Sequence, residues 1–228
     1  ETIEEITGFA KVMRQNSVKV KLPLDKPAID TCGTGGDGSN TFNISTVSAF
    51  VVSGAGVVVA KHGNRAVSSK RGSADLLREL GVNIDIPVEK VEECLDTIGI
   101  GFLFAPNMHP AMKYAIGPRR EIGIRTFFNI LGPLTNPAGV QRQVIGLYSS
   151  DILKTVTEVL KNMGSKKAMV INSKDGLDEI SVSADTDVCE LEENGNIKTY
   201  TINPCDFGLN KADISEIKGG DETENARI

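Results

Sequence analysis

The sequence predicts an α/β fold, a mainly parallel central sheet flanked by helices, with a short antiparallel portion near the C-terminal end. Three observations carry that expectation. Between Ala28 and Ile171, short apolar runs alternate with helix-period segments, the pattern of strand–helix–strand units. The core residues are aliphatic: 40% of the chain is hydrophobic, only 5% is aromatic and Trp is absent, which suits helices packed on a sheet. Past Ile171, three short runs follow without intervening helices, the last two joined at Asn194-Gly195, a hairpin signal.

In chain order, Ile3, Ile6, Phe9, Ala10 and Met13 stand at helical spacing, so residues 1–16 form a short amphipathic helix that must lean on other parts. Ser17 to Pro27 reads as a polar linker. Ile29–Cys32 is the first expected strand, and residues 45–55 a buried helix. Val57–Ala60 is a strand; Ser73–Leu80 is a helix closed by Gly81. Val88–Ile98 is a helix capped by Gly99, and Gly101–Ala105 a strand. From Pro106 to Pro137, repeated Pro-containing dipeptides impose short helices and turns. Val144–Tyr148, a helix over 151–163 and Lys167–Ile171 restore the alternation. Ile180–Ser183, Val188–Glu192 and Ile197–Ile202 are expected antiparallel strands. Residues 203–228 are polar and carry no strong element signal.

A chain of 228 residues is long enough for one full core, or for one large and one small domain. The net charge of −5 argues against a broad basic face, and so against nucleic-acid or anionic-membrane binding. Any anion site must be local. Cys32, Cys94, Cys189 and Cys205 are widely spaced with no CxxC pair, fitting reduced thiols rather than a disulfide or zinc framework. No apolar run reaches membrane-spanning length. The first residue is Glu1, already inside a helical pattern, so a piece of a longer protein is expected.

The most informative stretch runs from Asp30 to Thr46. Gly33, Gly35, Gly36 and Gly38 follow a strand and precede Asn43-Ile-Ser-Thr46 at a helix start. Glycines let the backbone approach a ligand, and the helix N-terminus favours negative charge, so the stretch reads as a cradle for a phosphorylated, pyrophosphate-bearing substrate. The bland reading is a tight turn. No Lys follows the glycines, which excludes a P-loop. Gly33-Thr-Gly-Gly-Asp-Gly38 matches a bare GxGxxG, but Gly54–Val59 supplies no ribose-reading acid, which weakens a dinucleotide reading. Lys61-His-Gly-Asn-Arg-Ala-Val-Ser-Ser69 follows the next strand and should face the first cradle across the carboxyl edge. Its alternative is a solvated basic loop. In Asp175-Gly-Leu-Asp-Glu179, the adjacent acids Asp178 and Glu179 can share magnesium with a diphosphate, or be surface acids. Arg119 or Arg120, in Gly117-Pro-Arg-Arg-Glu121, can clamp a carboxylate-bearing second substrate; otherwise both are surface helix charges, which is the expectation for Arg120. His62 and His109 read chiefly as pocket-lining residues.

Together with Phe128-Asn-Ile-Leu-Gly-Pro-Leu-Thr-Asn-Pro137, these blocks resemble the anthranilate phosphoribosyltransferase family, within the nucleoside-phosphorylase-like phosphoribosyltransferases. The resemblance spans residues 28 to about 205, and order, spacing and content all agree. It implies a stub of a small helical domain with its linker over residues 1–26, and the catalytic α/β domain over 27–228. The implied reaction transfers phosphoribose from phosphoribosyl pyrophosphate (PRPP) to the amine of anthranilate, releasing pyrophosphate. The PRPP site would include Gly33, Gly36, Asp37, Thr41, Asn43, Ile44, Ser45, Thr46, Lys61, His62, Gly63, Asn64, Arg65, Ala66, Val67, Ser68, Ser69 and Ser73. Gly33, Asn64 and Arg119 would contact anthranilate, with His62, His109 and Pro137 lining its path. Ser45, Asp178 and Glu179 would serve two Mg²⁺ ions. Small-molecule substrates, a homodimer, no nucleic acid, no membrane and a cytoplasmic location complete the expectation. Gly33 in particular should lie between donor and amine, where a side chain would intrude. A same-fold paralogue that binds nucleic acid, and a pyrimidine nucleoside phosphorylase, are the rivals; the latter's Lys-His-Ser-Thr-Gly-Gly start is absent.

Overall fold

The computed structural model describes residues 2–65, 72–124 and 126–228. Helix α1 (Ile3–Gln15) opens the chain, its start secured by a Thr2–Glu5 capping box. Then come β1 (Ala28–Gly33), α2 (Ile44–Gly54), β2 (Val58–Gly63), α3 (Ser73–Glu79), α4 (Val88–Thr97) and β3 (Ile100–Phe104). The Pro-rich region folds as α5 (Ala105–Met108), a 3-10 turn, α6 (Lys113–Ile122) and α7 (Phe128–Leu134). Then β4 (Arg142–Gly146), α8 (Leu153–Asn162), β5 (Lys167–Ser173), β6 (Thr186–Leu191) and β7 (Ile197–Ile202) lead to α9 (Glu222–Arg227).

Among the described residues, seven strands form one sheet in the order β3-β2-β1-β4-β5-β6-β7. The first five are parallel; β6 and β7 add on antiparallel. From β1 the chain builds outward to β2 and β3, then crosses back to β4 on the other flank. The order therefore reverses between β1 and β4, and the crevice beyond their carboxyl ends is where an open α/β sheet binds ligands.

Two larger core clusters hold this sheet. One joins Ile6 and Ala10 of α1 to Ile130, Leu131 and Leu134 of α7, Val156 and Leu160 of α8, and Ile145 and Val170 of the sheet. The amphipathic α1 is thus cemented onto the α/β body. The other gathers Val58, Ala60, Val91, Leu95, Leu103 and Met108 around β2 and α4. Each fully buried aliphatic side chain contributes about 1.5–3 kcal/mol.

Two expectations fail. Ile180–Ser183 is not a strand: Ser181 and Ser183 give their hydroxyls to Asp175, and the Ser181 amide donates to Thr186 Oγ1 at 3.1 Å. Local hydroxyl bonding competes there with a sheet ladder. Residues 203–228 do form elements, two 3-10 turns and α9. Each starts with a capping box (Asn203 with Asp206, Asp213 with Glu216, Asp221 with Glu224), a three-residue spacing that the sequence carries.

Candidate active site

The glycine-rich turn leaves β1 at Gly33, register partner of Gly146 at the end of β4, and the Thr34 amide donates to Gly146 O at 2.9 Å. The cradle therefore sits on the reversal point. Gly35, Gly36 and Gly38 take φ values of 63°, 76° and 76°, and Asn40 one of 56°. Such left-handed conformations strain other residues but cost glycine little.

The acidic pair comes from the loop after β5. Asp178 Oδ2 accepts from the Gly35 amide at 2.7 Å, and Glu179 Oε1 from the Ser45 amide at 3.1 Å. Glu179 thus sits at the N-terminus of α2, where the first-turn amides favour an anion. A Cβ on Gly33 would lie 2.7 Å from Asp178 Oδ2, and one on Gly146 would overlap the Asp178 backbone carbonyl. At Gly33 it is Asp178 that fills the space beside the residue. Gly146 was not singled out from the sequence; its only signal is a glycine closing a β-branched strand.

Charge accumulates at this spot. Burial, with Asp37 alongside, lifts Asp178 to about 6; burial and the Asp178 charge lift Glu179 to about 8, against the opposing pull of Lys61. Among the described residues no three His, Cys, Asp or Glu side chains form a ready metal cage. Magnesium does not need one: it takes one or two carboxylates, substrate phosphates and water. A pair of carboxylates with raised affinity for positive charge fits that ion.

Lys61 and His62 lie within β2 rather than in the loop after it, and successive strand residues face opposite sides of the sheet. Lys61, 3% exposed, turns toward α2, donating to Thr31 O at 2.7 Å and Ser45 Oγ at 3.2 Å. It is an internal counter-charge, to Asp30 first and then to Glu179, carried by the strand rather than by the loop facing the cradle as expected. His62 turns the other way. Its Nδ1 meets Gly132 O at 3.0 Å, and its Nε2 lies 3.2 Å from His109 Nε2. A carbonyl only accepts, so His62 carries its proton on Nδ1 and His109 donates to the bare Nε2. Burial, then the neighbouring His109, pulls His62 down to about 3; burial and Lys19 pull His109 to about 4. Both are neutral near pH 7.

Beneath them lies a polar group without a role in the sequence reading. Asp30, fully buried, accepts from the His62 amide at 3.1 Å and from Asn136 Nδ2 at 2.8 Å, and Asn136 also donates to Ala60 O at 2.9 Å. This network ties β1, β2 and the segment after α7 into one unit. Its members could not be recognised from residue type alone, because the pairings span up to 106 positions.

The remaining expected residues are distributed around this centre. The Asp37 carboxylate accepts locally from the amide and the hydroxyl of Ser39. Thr41 pairs with Lys218 in an isolated antiparallel bridge. Asn43 is the N-cap residue of α2, followed by Ile44, whose amide donates to Phe42 O at 2.8 Å. Thr46 is 1% exposed, so its side chain is inside rather than on the ligand side. Gly63 packs without a side chain against Ser73 and Phe102, while Asn64 is exposed and accepts from the Arg65 amide at 2.7 Å. The Arg65 guanidinium lies 5.8 Å from the Phe104 ring centre. Arg119, half-buried on α6, stacks over Phe128 at 5.2 Å, and Phe128 continues a stack through Phe127 to Phe9. Helix α7 thereby links Arg119, through Phe128, to His62, through Gly132 O. Ala66, Val67, Ser68 and Ser69 lie outside the described residues.

Residues 25–228 match the family described as "Glycosyl transferase family, a/b domain". The anthranilate phosphoribosyltransferase of Moorella thermoacetica is 54% identical over 229 residues, covering 100% of this chain and 67% of its own length. That of Desulforamulus reducens is 55% identical, with 100% and 66% covered. The crystal structure of anthranilate phosphoribosyltransferase from Thermus thermophilus superimposes with a TM-score of 0.92 at 41% identity, over 100% of this chain and 67% of that one. The Saccharomyces cerevisiae enzyme in complex with PRPP and Mg gives 0.89 at 34% identity, over 100% and 62%. The chain spans about two thirds of the length of these relatives. It belongs to the anthranilate phosphoribosyltransferase family.

Proposed function

We propose that the protein containing this chain transfers the phosphoribosyl group of PRPP to the amine of anthranilate, releasing pyrophosphate. One observation carries the reading. Glycine-loop amides, the α2 N-terminus and the Asp178–Glu179 pair converge on the crevice beyond β1 and β4. Few chemistries need anion-binding amides and metal-seeking carboxylates on the same spot; a magnesium diphosphate does.

The residues have the following proposed parts. Amides around Gly33, Gly36, Asp37 and Asn43 to Thr46, with Thr41, Ser73 and the Gly63–Arg65 stretch, hold PRPP, and buried Lys61 supports Ser45 from within the fold. Ser45, Asp178 and Glu179 hold two Mg²⁺ ions, which when bound neutralise the leaving diphosphate. Arg119 pairs with the anthranilate carboxylate while Gly33 and Asn64 border the acceptor, and the neutral His62–His109 pair with Pro137 lines its approach. The C1–O bond to diphosphate breaks, its electron pair leaving with the diphosphate, the amine nitrogen bonds to C1 through its lone pair, and the surplus N–H proton passes to the departing diphosphate or to water. An aromatic amine is a free nucleophile at neutral pH, so positioning and charge neutralisation suffice without a strong base. Residues 1–26 belong to the small helical domain in this reading, and 27–228 to the catalytic domain. The protein acts as a cytoplasmic homodimer on small molecules, without nucleic acid. No helix among the described residues is long and apolar enough to cross a membrane, and the four cysteines are unpaired, as a reducing compartment keeps them.

The test is loss of anthranilate fluorescence in the presence of PRPP and magnesium, measured on the full-length protein. A flat trace sinks the reading. Phosphate-dependent cleavage of a nucleoside would install a phosphorylase instead, and salt-dependent DNA binding would install the nucleic-acid paralogue.

A further inference from the structure

Residues 217–225, a segment with no part in the function described so far, pack against the end of the glycine-rich stretch that leads into α2. The Phe42 amide donates to Ile217 O at 3.1 Å, and the Gly219 amide to Asn40 O at 2.9 Å. Thr41 and Lys218 form the bridge between them. The approach is close enough to require glycine. A Cβ on Gly219 would lie 2.8 Å from Thr41 O and 2.9 Å from Phe42 N, and one on Gly220 would overlap Glu224.

At the end of this segment stands Asn225, 7% exposed on a helix that is otherwise largely open to solvent. Its Oδ1 accepts from the Gly220 amide at 2.8 Å, and its Nδ2 donates to Asn43 Oδ1 at 3.1 Å. The orientation is forced, because an N–H can only donate: Gly220 takes Oδ1 and leaves Nδ2 for Asn43. Asn43 is the residue from which α2 starts. One buried side chain therefore joins residues 182 positions apart, tying the C-terminal segment to the residue that caps α2. The same segment is braced from behind, since α9 packs on α3 and Thr223 Oγ1 donates to Glu79 Oε1 at 3.0 Å.

We propose that Asn225 is a positioning residue for the diphosphate cradle: with Gly219 it holds residues 40–43 in the conformation that presents the α2 N-terminus to PRPP. The proposal rests on the function given above. A loop of left-handed residues has many alternatives in solution, and fixing it before binding removes an ordering cost that would otherwise weaken affinity. The Asn225 hydrogen bonds run to Gly220 and Asn43, and not to Gly33, Asn64 or Arg119, so the effect is confined to the donor substrate.

The experiment uses the full-length enzyme. Asn225→Ala should raise the KM for PRPP about tenfold, the loss expected when a buried hydrogen bond is broken and its partner left unpaired, with the KM for anthranilate within about twofold. Thr223→Ala, which loses only the brace to α3, should leave both near wild type. A second measurement uses the wild type alone: magnesium pyrophosphate should slow amide hydrogen exchange in residues 40–43 and 217–225 together, and anthranilate should not. This arm decides the matter if Asn225→Ala does not fold. An unchanged KM for PRPP in a folded variant, equal effects on both substrates, or exchange in 217–225 indifferent to pyrophosphate overturns the proposal. Wild-type enzyme that protects both segments with pyrophosphate yet fails to consume anthranilate overturns the function instead and leaves the clamp standing.

Discussion

Gly146 lies directly beneath the backbone carbonyl of Asp178, so closely that any Cβ at position 146 would occupy the place of that oxygen. The two are 32 residues apart, and the absence of a side chain on one sets the height of the acidic loop over the end of the sheet. Gly146→Ala must push the loop outward, carrying Asp178 and Glu179 away from the Gly35 and Ser45 amides. Misplacement of a catalytic group by about 1 Å costs roughly a hundredfold. The expected outcome is a fall in magnesium-dependent kcat/KM of about that size with the fold retained, read by steady-state kinetics beside circular dichroism. Near-wild-type turnover would refute the geometric role.

Glu179 should show a conflict between stability and function. Its folded-state pKa is raised to about 8 from an ordinary 4.5, first by burial and then by Asp178. The folded protein therefore binds this proton more tightly than the unfolded chain does. The stability so conferred is full below the ordinary value and is lost as pH rises from about 4.5 towards 8. Glu179→Gln removes that loss. In metal-free protein near pH 8 the variant should melt a few degrees higher than wild type, with the gap closing towards about pH 5, while magnesium-dependent turnover collapses. Thermal melts across pH with chelator present check it. A variant less stable than wild type at high pH excludes the account.

Arg119→Ala should separate the two substrates. The guanidinium stacks on Phe128 and is proposed to pair with the acceptor carboxylate, so the anthranilate KM should rise about tenfold or more while that for PRPP stays within about twofold. Arg119→Lys should rescue little, because an ammonium lacks the planar fork. Equal effects on both substrates would refute the assignment.

Asp175 organises the loop that carries the metal-seeking acids. Its carboxylate collects the hydroxyls of Ser173, Ser181 and Ser183, while Ser173 N and Leu177 O close the turn at 3.0 Å. Asp175→Ala releases these anchors without touching Asp178 or Glu179. The magnesium concentration for half-maximal rate should rise about tenfold, as for other residues that orient metal ligands, and saturating magnesium should recover most of kcat. Titration of turnover with magnesium gives the answer. A lower kcat with an unmoved magnesium dependence would point to a different role.

The amino-acid sequence by itself determined the alternation of strands and helices, the antiparallel end, the glycine-rich cradle at a strand–helix junction and the acidic pair. All of these follow from local periodicity or from residue types whose chemistry needs few neighbours. Family likeness then supplied an order of blocks that no single motif carried. Only the tertiary structure decided that Lys61 is an internal counter-charge and His62 faces the other side of the sheet, because β2 extends to Gly63 and side chains alternate along it. It alone brought Asp30 to Asn136, Gly146 under Asp178 and Asn225 onto Asn43. A buried polar residue shows its purpose only once its partner is known, and these partners are set by strand order and crossover, which bring together positions 32 to 182 residues apart. The serines after Asp178 make the same point in reverse: their short apolar-polar pattern suits a strand, yet one carboxylate gathers their hydroxyls and keeps them out of the sheet.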